Sequence, residues 1–213
     1  MSAAEKICDF LIRASNPLRN IGPDQFPIGI ASGALLDYGG ERWVLTVAHA
    51  TGNMGNWGIE AGFEEGLGAK LWRIGPMTFM GLLNFATGTS ESLDLAYARV
   101  PPDLQPIFEH RNENEQLIKR VPRAILKSDL RSAPRKRKLY GFAGNIKPKS
   151  GPPVTMNWLL TELVCYPNLK FIGEDDRYHF FKLPVTHPGH EEFKGTSGSP
   201  ICDRQGNVVA LVC

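Results

Sequence analysis

Short strand-like runs separated by turn residues occupy most of this 213-residue sequence. The runs are rich in apolar, β-branched and aromatic residues, and they cover residues 26–38, 43–47, 71–74, 77–83, 138–143, 156–166, 178–185 and 208–212. Glycine, proline and small polar residues lie between them, at 39–40, 88–92, 144–145, 151–153 and 173–176. Many short strands with frequent turns and few helices predict an all-β barrel or sandwich.

Three segments depart from this strand pattern. Residues 3–15 place apolar side chains at i, i+3, i+4 and i+7, which predicts a short amphipathic helix that Asn16-Pro17 ends. We expect this helix to pack across the barrel. Residues 51–68 are rich in glycine and are predicted to form a loop. Residues 101–115 combine prolines with a charged run and are the predicted linker between two halves of the chain.

Charge and hydropathy exclude several classes of partner. The 24 basic and 22 acidic residues give a formal net charge of +2, so we expect no nucleic-acid partner. No run approaches the roughly 20 apolar residues of a membrane span, so we expect no membrane insertion. The N-terminal apolar stretch contains Glu5, Lys6 and Asp9 and does not resemble a secretory signal.

The cysteines fit a reducing compartment. Without an export signal we expect a cytoplasmic protein with reduced thiols, and a mature secreted chain that has lost its signal is the alternative. The four thiols follow no zinc-binding spacing and belong to Cys8, Cys165, Cys202 and Cys213.

Three charged segments suggest binding sites but favour plainer interpretations. Residues 131–138 and 147–149 are basic, yet they contain prolines and no interleaved aromatic residues, so we interpret them as solvated loops rather than an RNA- or phosphate-binding patch. Residues 187–192 read His-Pro-Gly-His-Glu-Glu. Pro188-Gly189 disfavours the helix on which zinc-binding histidines are usually spaced, so we predict a specificity loop, with no metal and no cofactor.

The stretch Gly195-Thr196-Ser197-Gly198-Ser199-Pro200 is the strongest candidate for chemistry. Glycine adopts backbone conformations that other residues avoid, so such a turn can aim several N–H groups into one hollow. A serine there can attack a carbonyl carbon while the N–H groups hold the resulting oxyanion. Taken alone, the stretch also fits an ordinary Gly-Ser-Pro turn.

A histidine and an aspartate elsewhere in the chain support the catalytic interpretation. His49 ends the β-rich run that begins at Trp43, and Asp94 opens an alternating apolar run. A serine hydroxyl is a poor nucleophile until a base takes its proton, and histidine titrates near neutrality. A carboxylate can hold the imidazole in the required tautomer. The α/β-hydrolase order of Ser, acid and His does not fit, because no histidine follows Ser197.

The three motifs together resemble those of the chymotrypsin-like serine proteases. That family carries Thr-Ala-Ala-His, then Asp-Ile-Ala or Asp-Leu-Ala, then Gly-Asp-Ser-Gly-Gly-Pro. The corresponding residues here are Thr46-Val47-Ala48-His49, Asp94-Leu95-Ala96 and residues 195–200. The resemblance covers residues 28–213, and it implies two six-stranded β-barrels with the active site in the cleft between them.

The resemblance also assigns roles and boundaries. It implies a His49, Asp94 and Ser197 triad, an oxyanion hole formed by the N–H groups of Gly195 and Ser197, and a protein or peptide substrate. Residues 1–24 are then a helical extension, residues 25–115 the first barrel and residues 116–213 the second. A trypsin-fold module that binds a protein partner without catalysis is the alternative function, although such modules usually lose a triad residue.

The chain departs from the family at several positions. Thr196 stands where many members have an aspartate that pairs with a new N-terminus after zymogen cleavage, so we expect activity without N-terminal processing. The pattern is more similar to the bacterial, organellar and viral branches. Ser199 replaces a glycine, which is a small change.

Two further expectations concern the end of the chain. Counting back from Ser197, Glu191 falls where the family places the floor of its S1 pocket, and a carboxylate there favours Arg or Lys at P1; a solvated acidic loop is the alternative. Residues 208–212 are apolar, as a buried strand should be. The family continues past the position of Cys213, so we expect the second barrel to need a further segment of this chain, helix 3–15 or a partner chain.

Overall fold

The computed structural model describes residues 2–52, 55–64, 68–111, 116–127, 130–151, 158–175, 177–187, 189 and 191–213. Strands dominate these residues, as the sequence predicts. The helices are α1 (Ala3–Ala14), α2 (Ala48–Thr51) and a single 3₁₀ turn (Glu191–Phe193). The strands are β1 (Ser15–Ile21), β2 (Pro27–Tyr38), β3 (Glu41–Thr46), β4 (Trp57–Glu64), β5 (Gly68–Arg73), β6 (Thr78–Asn84), β7 (Thr89–Val100), β8 (Ile107–Arg111), β9 (Leu117–Pro122), β10 (Leu126–Lys127), β11 (Leu139–Gly151), β12 (Trp158–Glu174), β13 (His179–Lys182), β14 (Pro200–Asp203) and β15 (Val208–Leu211).

The N-terminal half forms one antiparallel sheet. Its strands lie in the order β5-β4-β1-β2-β3-β7-β6, and the short strand β10 joins β2 in parallel. The central strand β1 is buried along most of its length and β2 along its middle, whereas β7 alternates between buried and less buried residues over its last five positions. The core of this half contains Leu18, Leu35, Val44, Trp57, Ile59 and Val100.

The C-terminal half forms a second sheet of five strands within the described residues, in the order β13-β12-β11-β14-β15. Its core is aromatic, and it contains Tyr140, Phe142, Leu169, Phe171 and Ile201. The strands β8 and β9 pair separately as a two-stranded hairpin. The all-β prediction is confirmed; six strands were expected in each half, and the described residues form eight in the first sheet and five in the second.

Helix α1 fills the junction between the two sheets. It begins at a capping box in which the amide of Glu5 donates to the Ser2 hydroxyl and the Ser2 amide donates to the Glu5 carboxylate. Its buried residues Leu11 and Ala14 pack in one cluster with Leu36 from the first sheet and Cys202 from the second. The helix therefore joins both halves, as the sequence predicts.

The sequence misses strand β1. The prediction of a helical extension over residues 1–24 fails at Ser15–Ile21, which pair with both β2 and β4. The strand could not be recognised in the sequence because it contains polar residues, and the residues that pair with them lie in distant parts of the chain. Arg19 is 8 % exposed and its guanidinium lies 2.7 Å from the Glu60 carboxylate of β4. The division of the chain into domains stays a prediction.

Several predicted loops are wholly or partly strand. The loop predicted at 51–68 contains β4, the turn at 88–92 lies largely in the start of β7, and the linker at 101–115 contains β8. Gly144 and Asn145, predicted as a turn, lie inside β11 opposite β12. In each case pairing with a neighbouring strand outweighs the local preference of glycine and polar residues. The turn predicted at 151–153 falls mostly outside the described residues.

No helix among the described residues is long and apolar enough to cross a membrane.

Candidate active site

His49 is held at the end of β3 by a single turn of helix. Strand β3 ends at Thr46 and α2 begins at Ala48, so His49 lies in a short helix just after the strand. The Trp57 indole N–H donates to the Thr51 carbonyl at 2.7 Å, which fastens this turn to β4. The His49 side chain is 49 % exposed and faces the space between the two sheets.

Asp94 projects from a bulge in β7. Strand β6 advances two residues, from Phe79 to Gly81, while the paired strand β7 runs from Ala96 back to Ser92, so β7 carries extra residues there. Asp94 itself has φ +53°, in the left-handed region that L-residues seldom occupy. A bulge of this kind redirects a side chain out of the alternating pattern of its strand.

The three predicted catalytic side chains form a continuous hydrogen-bonded series. The Asp94 carboxylate accepts from the His49 backbone N–H at 2.8 Å and lies 2.7 Å from His49 Nδ1. His49 Nε2 lies 3.2 Å from Ser197 Oγ. A carboxylate can only accept, so the neutral imidazole carries its proton on Nδ1 and leaves Nε2 free to accept from Ser197. This is the arrangement in which a histidine can deprotonate a serine.

The turn that carries Ser197 is packed against the first sheet. Gly198 has φ +89°, and a Cβ on it would lie 2.0 Å from the Ser32 carbonyl oxygen and 2.3 Å from Thr46 Oγ1. Only glycine fits so close to another backbone. The Gly198 amide donates to the Val212 carbonyl at 2.8 Å, which ties the turn to the C-terminal end of β15 as well.

Solved structures with the same arrangement of strands are serine proteases. A serine endoprotease from Yersinia pestis matches with a TM-score of 0.53 and 11 % identity, over 99 % of this chain and 57 % of its own. Mouse neuropsin, a serine protease expressed in the limbic system of the brain, matches with a TM-score of 0.51 and 13 % identity, over 92 % of this chain and 79 % of its own.

The chain has the chymotrypsin-like fold. It spans little more than half of the length of the Yersinia pestis chain. No family model and no curated protein matches the sequence.

The predicted oxyanion donors are the backbone N–H groups of Gly195 and Ser197. Among the described residues, neither the Gly195 amide nor the Ser197 amide donates a hydrogen bond, whereas the intervening Thr196 amide donates to the Phe193 carbonyl at 3.0 Å. Both Gly195 and Ser197 line the cavity beside His49. Two N–H groups that lie next to a serine hydroxyl and are not used in other hydrogen bonds can stabilise a negatively charged oxygen.

Ser32 contacts the Ser197 turn and was not selected by the sequence analysis. Its hydroxyl donates to the Gly195 carbonyl at 2.7 Å, and its backbone N–H donates to the Ser197 carbonyl at 2.8 Å. Ser32 lies on β2 and is 1 % exposed, so this residue of the first sheet fixes the nucleophile turn of the second. In the sequence, Ser32 is a polar residue inside the strand predicted at 26–38, and this position does not reveal a contact with Gly195.

A cavity of about 480 Å³ adjoins the triad. Its walls are mainly apolar, and they include Phe142, Leu169, Phe181, Leu183, Phe193 and Leu211. Two further histidines, His179 and His187, contribute to its rim, and the His187 ring stacks on Phe193 with centroids 4.8 Å apart. Among the described residues that line it, none carries a carboxylate.

Glu191 lies outside this cavity. It begins the 3₁₀ turn, its side chain is 76 % exposed, and its carboxylate lies 2.8 Å from Lys194 Nζ. The predicted contact with a basic P1 side chain therefore gains no support from its position. The counted distance from Ser197 fails as a guide because the 3₁₀ turn directs this side chain to the surface.

The other predicted features of the segment can be placed only in part. Thr196 is 1 % exposed and its hydroxyl donates to the Phe193 carbonyl at 2.9 Å, so the neutral side chain is satisfied within its own turn. Within the described residues no three His, Cys, Asp or Glu side chains cluster as metal ligands, and His190 lies outside those residues. The basic residue Lys138 pairs with Asp203 at 3.4 Å.

Proposed function

We propose that the chain is a serine endopeptidase that cleaves protein or peptide substrates through His49, Asp94 and Ser197. The observation that carries the proposal is the unbroken hydrogen-bonded series from Asp94 through His49 to Ser197, with distances of 2.7 and 3.2 Å. All three residue types are also those that the chemistry requires.

The reaction begins when Ser197 Oγ attacks the carbonyl carbon of the scissile bond and its proton passes to His49 Nε2. The imidazolium that forms is stabilised by Asp94, which keeps its own charge. The carbonyl oxygen becomes an oxyanion and accepts hydrogen bonds from the amides of Gly195 and Ser197. His49 then gives its proton to the leaving amine, the C–N bond breaks, and an acyl-enzyme ester remains on Ser197.

Water completes the cycle in a second step, in which water is the nucleophile and Ser197 Oγ is the leaving group. His49 takes a proton from the water as its oxygen attacks the ester, and returns that proton to Ser197 Oγ when the C–O bond breaks. The same two amides hold the second oxyanion. Each group is thus used twice, and the chain needs no cofactor for either half of the reaction.

The test is labelling with a fluorophosphonate, which reacts with an activated serine. We expect the parent chain to be labelled at Ser197, the Ser197→Ala chain to remain unlabelled, and the Ser90→Ala chain to be labelled like the parent. Ser90 is an exposed serine on β7 and serves as the matched control. Peptide mapping by mass spectrometry identifies the modified residue.

Two results would contradict the proposal. Labelling that persists in the Ser197→Ala chain would place the reactive nucleophile elsewhere. A parent chain that is folded by circular dichroism but unlabelled would leave a trypsin-fold binding module as the better account of the sequence.

A further inference from the structure

The hairpin formed by β6 and β7 presents an exposed apolar edge. Strand β6 is the last strand of the first sheet, and no described strand pairs with its outer side. Its side chains Met80, Leu82 and Leu83 are 40 %, 56 % and 54 % exposed, and Phe85 in the following turn is 89 % exposed. An apolar edge of this kind is a template for pairing with another strand.

Charged residues are absent from β6 and from the residues that flank it in the sequence. None of residues 74–90 carries a charge, although 22 % of the chain is Asp, Glu, Lys or Arg. Natural edge strands usually carry lysine, proline or another device that blocks pairing. The exposed strand β9 has such a device, because Lys119 and Arg120 lie within it, whereas β6 contains neither charge nor proline.

The sequence of β6 is complementary to itself. It reads Thr-Phe-Met-Gly-Leu-Leu-Asn, so polar residues stand at both ends, apolar pairs follow, and Gly81 is central. In an antiparallel pair centred on Gly81, Met80 faces Leu82 of the other copy, and Phe79 faces Leu83. Thr78 then faces Asn84. Apolar pairs thus meet on both faces of the extended sheet, and cross-strand pairs of this kind stabilise it.

We propose that β6 is a self-association surface, which pairs with β6 of a second copy of this chain about a twofold axis at Gly81. A twofold interface uses the same patch on both partners, so a self-complementary strand suits it. Two copies of an uncharged segment also meet without like-charge repulsion. A lipid bilayer suits the surface less well, because the unpaired N–H and C=O groups of the edge would enter hydrocarbon without partners.

Pairing at this edge acts on the strand that carries Asp94. The residues of β6 that meet the second copy lie directly against the bulge of β7, since Phe79 and Gly81 flank it. A second copy therefore buttresses β7 from the side opposite β3. This inference is independent of the proposed peptidase activity, because association can be measured without any substrate.

The experiment is sedimentation equilibrium of the 213-residue chain over a wide concentration range, with three variants. We expect a monomer–dimer equilibrium in the parent and in the Leu82→Met chain. The Leu82→Lys chain should dissociate at least about tenfold more readily, since each dimer then desolvates two ammonium groups. Ile118→Lys makes the same change at a 61 % exposed isoleucine on β9 and should leave the dimer unchanged.

Disulfide trapping tests the register. An oxidised mixture of Met80→Cys and Leu82→Cys chains should yield a link between the two introduced positions, identified by peptide mapping. A parent that is monomeric at every concentration would overturn the proposal, as would a dimer that Leu82→Lys leaves intact or Ile118→Lys disrupts equally. A monomer that instead binds phosphatidylcholine vesicles through Leu82 would assign the surface to a bilayer and also overturn it.

Discussion

The segments that carry Ser197 and Asp94, the proposed nucleophile and acid, are held in opposite ways. The nucleophile turn is enclosed: Thr196 is 1 % and Ser199 is 0 % exposed, and the turn receives hydrogen bonds from the first sheet and from Val212. The acid comes from β7, whose first residues belong to an exposed hairpin, and Asp94 is fixed mainly by its bulge and by His49. Close packing positions the first group and a local backbone irregularity positions the second.

This difference predicts where the protein tolerates change. In the turn around Ser197, a Cβ added to Gly195 or Gly198 meets the backbone of another segment, so substitutions that enlarge these residues should alter both folding and chemistry. Around Asp94 the outer face of the hairpin is open, so substitutions should affect chemistry only when they touch the carboxylate itself. The predictions that follow compare equivalent changes in the two regions.

The largest effect is expected for Ser197→Ala. Loss of the nucleophile should lower kcat for a peptide ester or amide by about 10⁶, the size found for a comparable triad. Stability should change little, because only one half-buried oxygen is removed. Steady-state kinetics and a urea titration measure the two quantities, and an active Ser197→Ala chain would refute the assignment.

The next largest effect is expected for Asp94→Asn in the acid strand. The amide can no longer accept from both His49 groups, so the imidazole loses its tautomer and kcat should fall by about 10⁴. The exposed variant Glu91→Gln on the same strand is the control and should keep the parent kcat. Equal kcat for Asp94→Asn and the parent would show that the acid plays no part.

A pair of glycine substitutions compares the two regions directly. Gly198→Ala places a Cβ 2.0 Å from the Ser32 carbonyl, and it should cost on the order of 3–5 kcal/mol of unfolding free energy. Gly88 in the hairpin turn also has positive φ, at +68°, but no atom lies within 4 Å of its Cβ position. Gly88→Ala should therefore cost only the backbone strain of about 1–2 kcal/mol.

Urea denaturation of both alanine variants measures the difference. If the two variants lose equal stability, packing does not distinguish the nucleophile turn from the hairpin.

The smallest effects are expected when a serine that supports each region through a hydrogen bond is replaced by alanine. Ser32→Ala leaves the Gly195 carbonyl without its donor in a buried site, and it should cost about 1–3 kcal/mol and lower kcat. Ser92→Ala removes an exposed acceptor 3.3 Å from the Asp94 amide, and its cost should be a few tenths of that because water can replace the hydroxyl. A larger loss in Ser92→Ala would reverse the comparison.

The sequence predicted the parts of the molecule whose signals are local. The strand predicted at 26–38 is Pro27–Tyr38, and the helix predicted at 3–15 is Ala3–Ala14. The three catalytic candidates stood out because each lies in a short motif, and the structure brings all three together. Their catalytic roles stay predictions.

The parts that could not be predicted depend on contacts between distant residues. Strand β1 is polar in sequence, and Arg19 can be buried in it only because its guanidinium pairs with Glu60. The contact made by Ser32 likewise depends on Gly195, which is distant in the sequence. The exposure of Glu191 also depends on local folding, because the 3₁₀ turn that directs its side chain to the surface was not predicted, and its role in P1 recognition stays a prediction beside the solvated-loop alternative.

The contact between Ser32 and Gly195 also bears on how the chain acquires activity during synthesis. The two residues are 163 positions apart, and the donor lies in the half that the ribosome makes first. Domains generally fold as units in the order of their synthesis. The first sheet can thus be complete while residues 195–199 are still untranslated. Ser32 is then already in place to bind the Gly195 carbonyl when that turn forms. Under the proposed function, a nascent chain has no peptidase activity until that late segment emerges and docks.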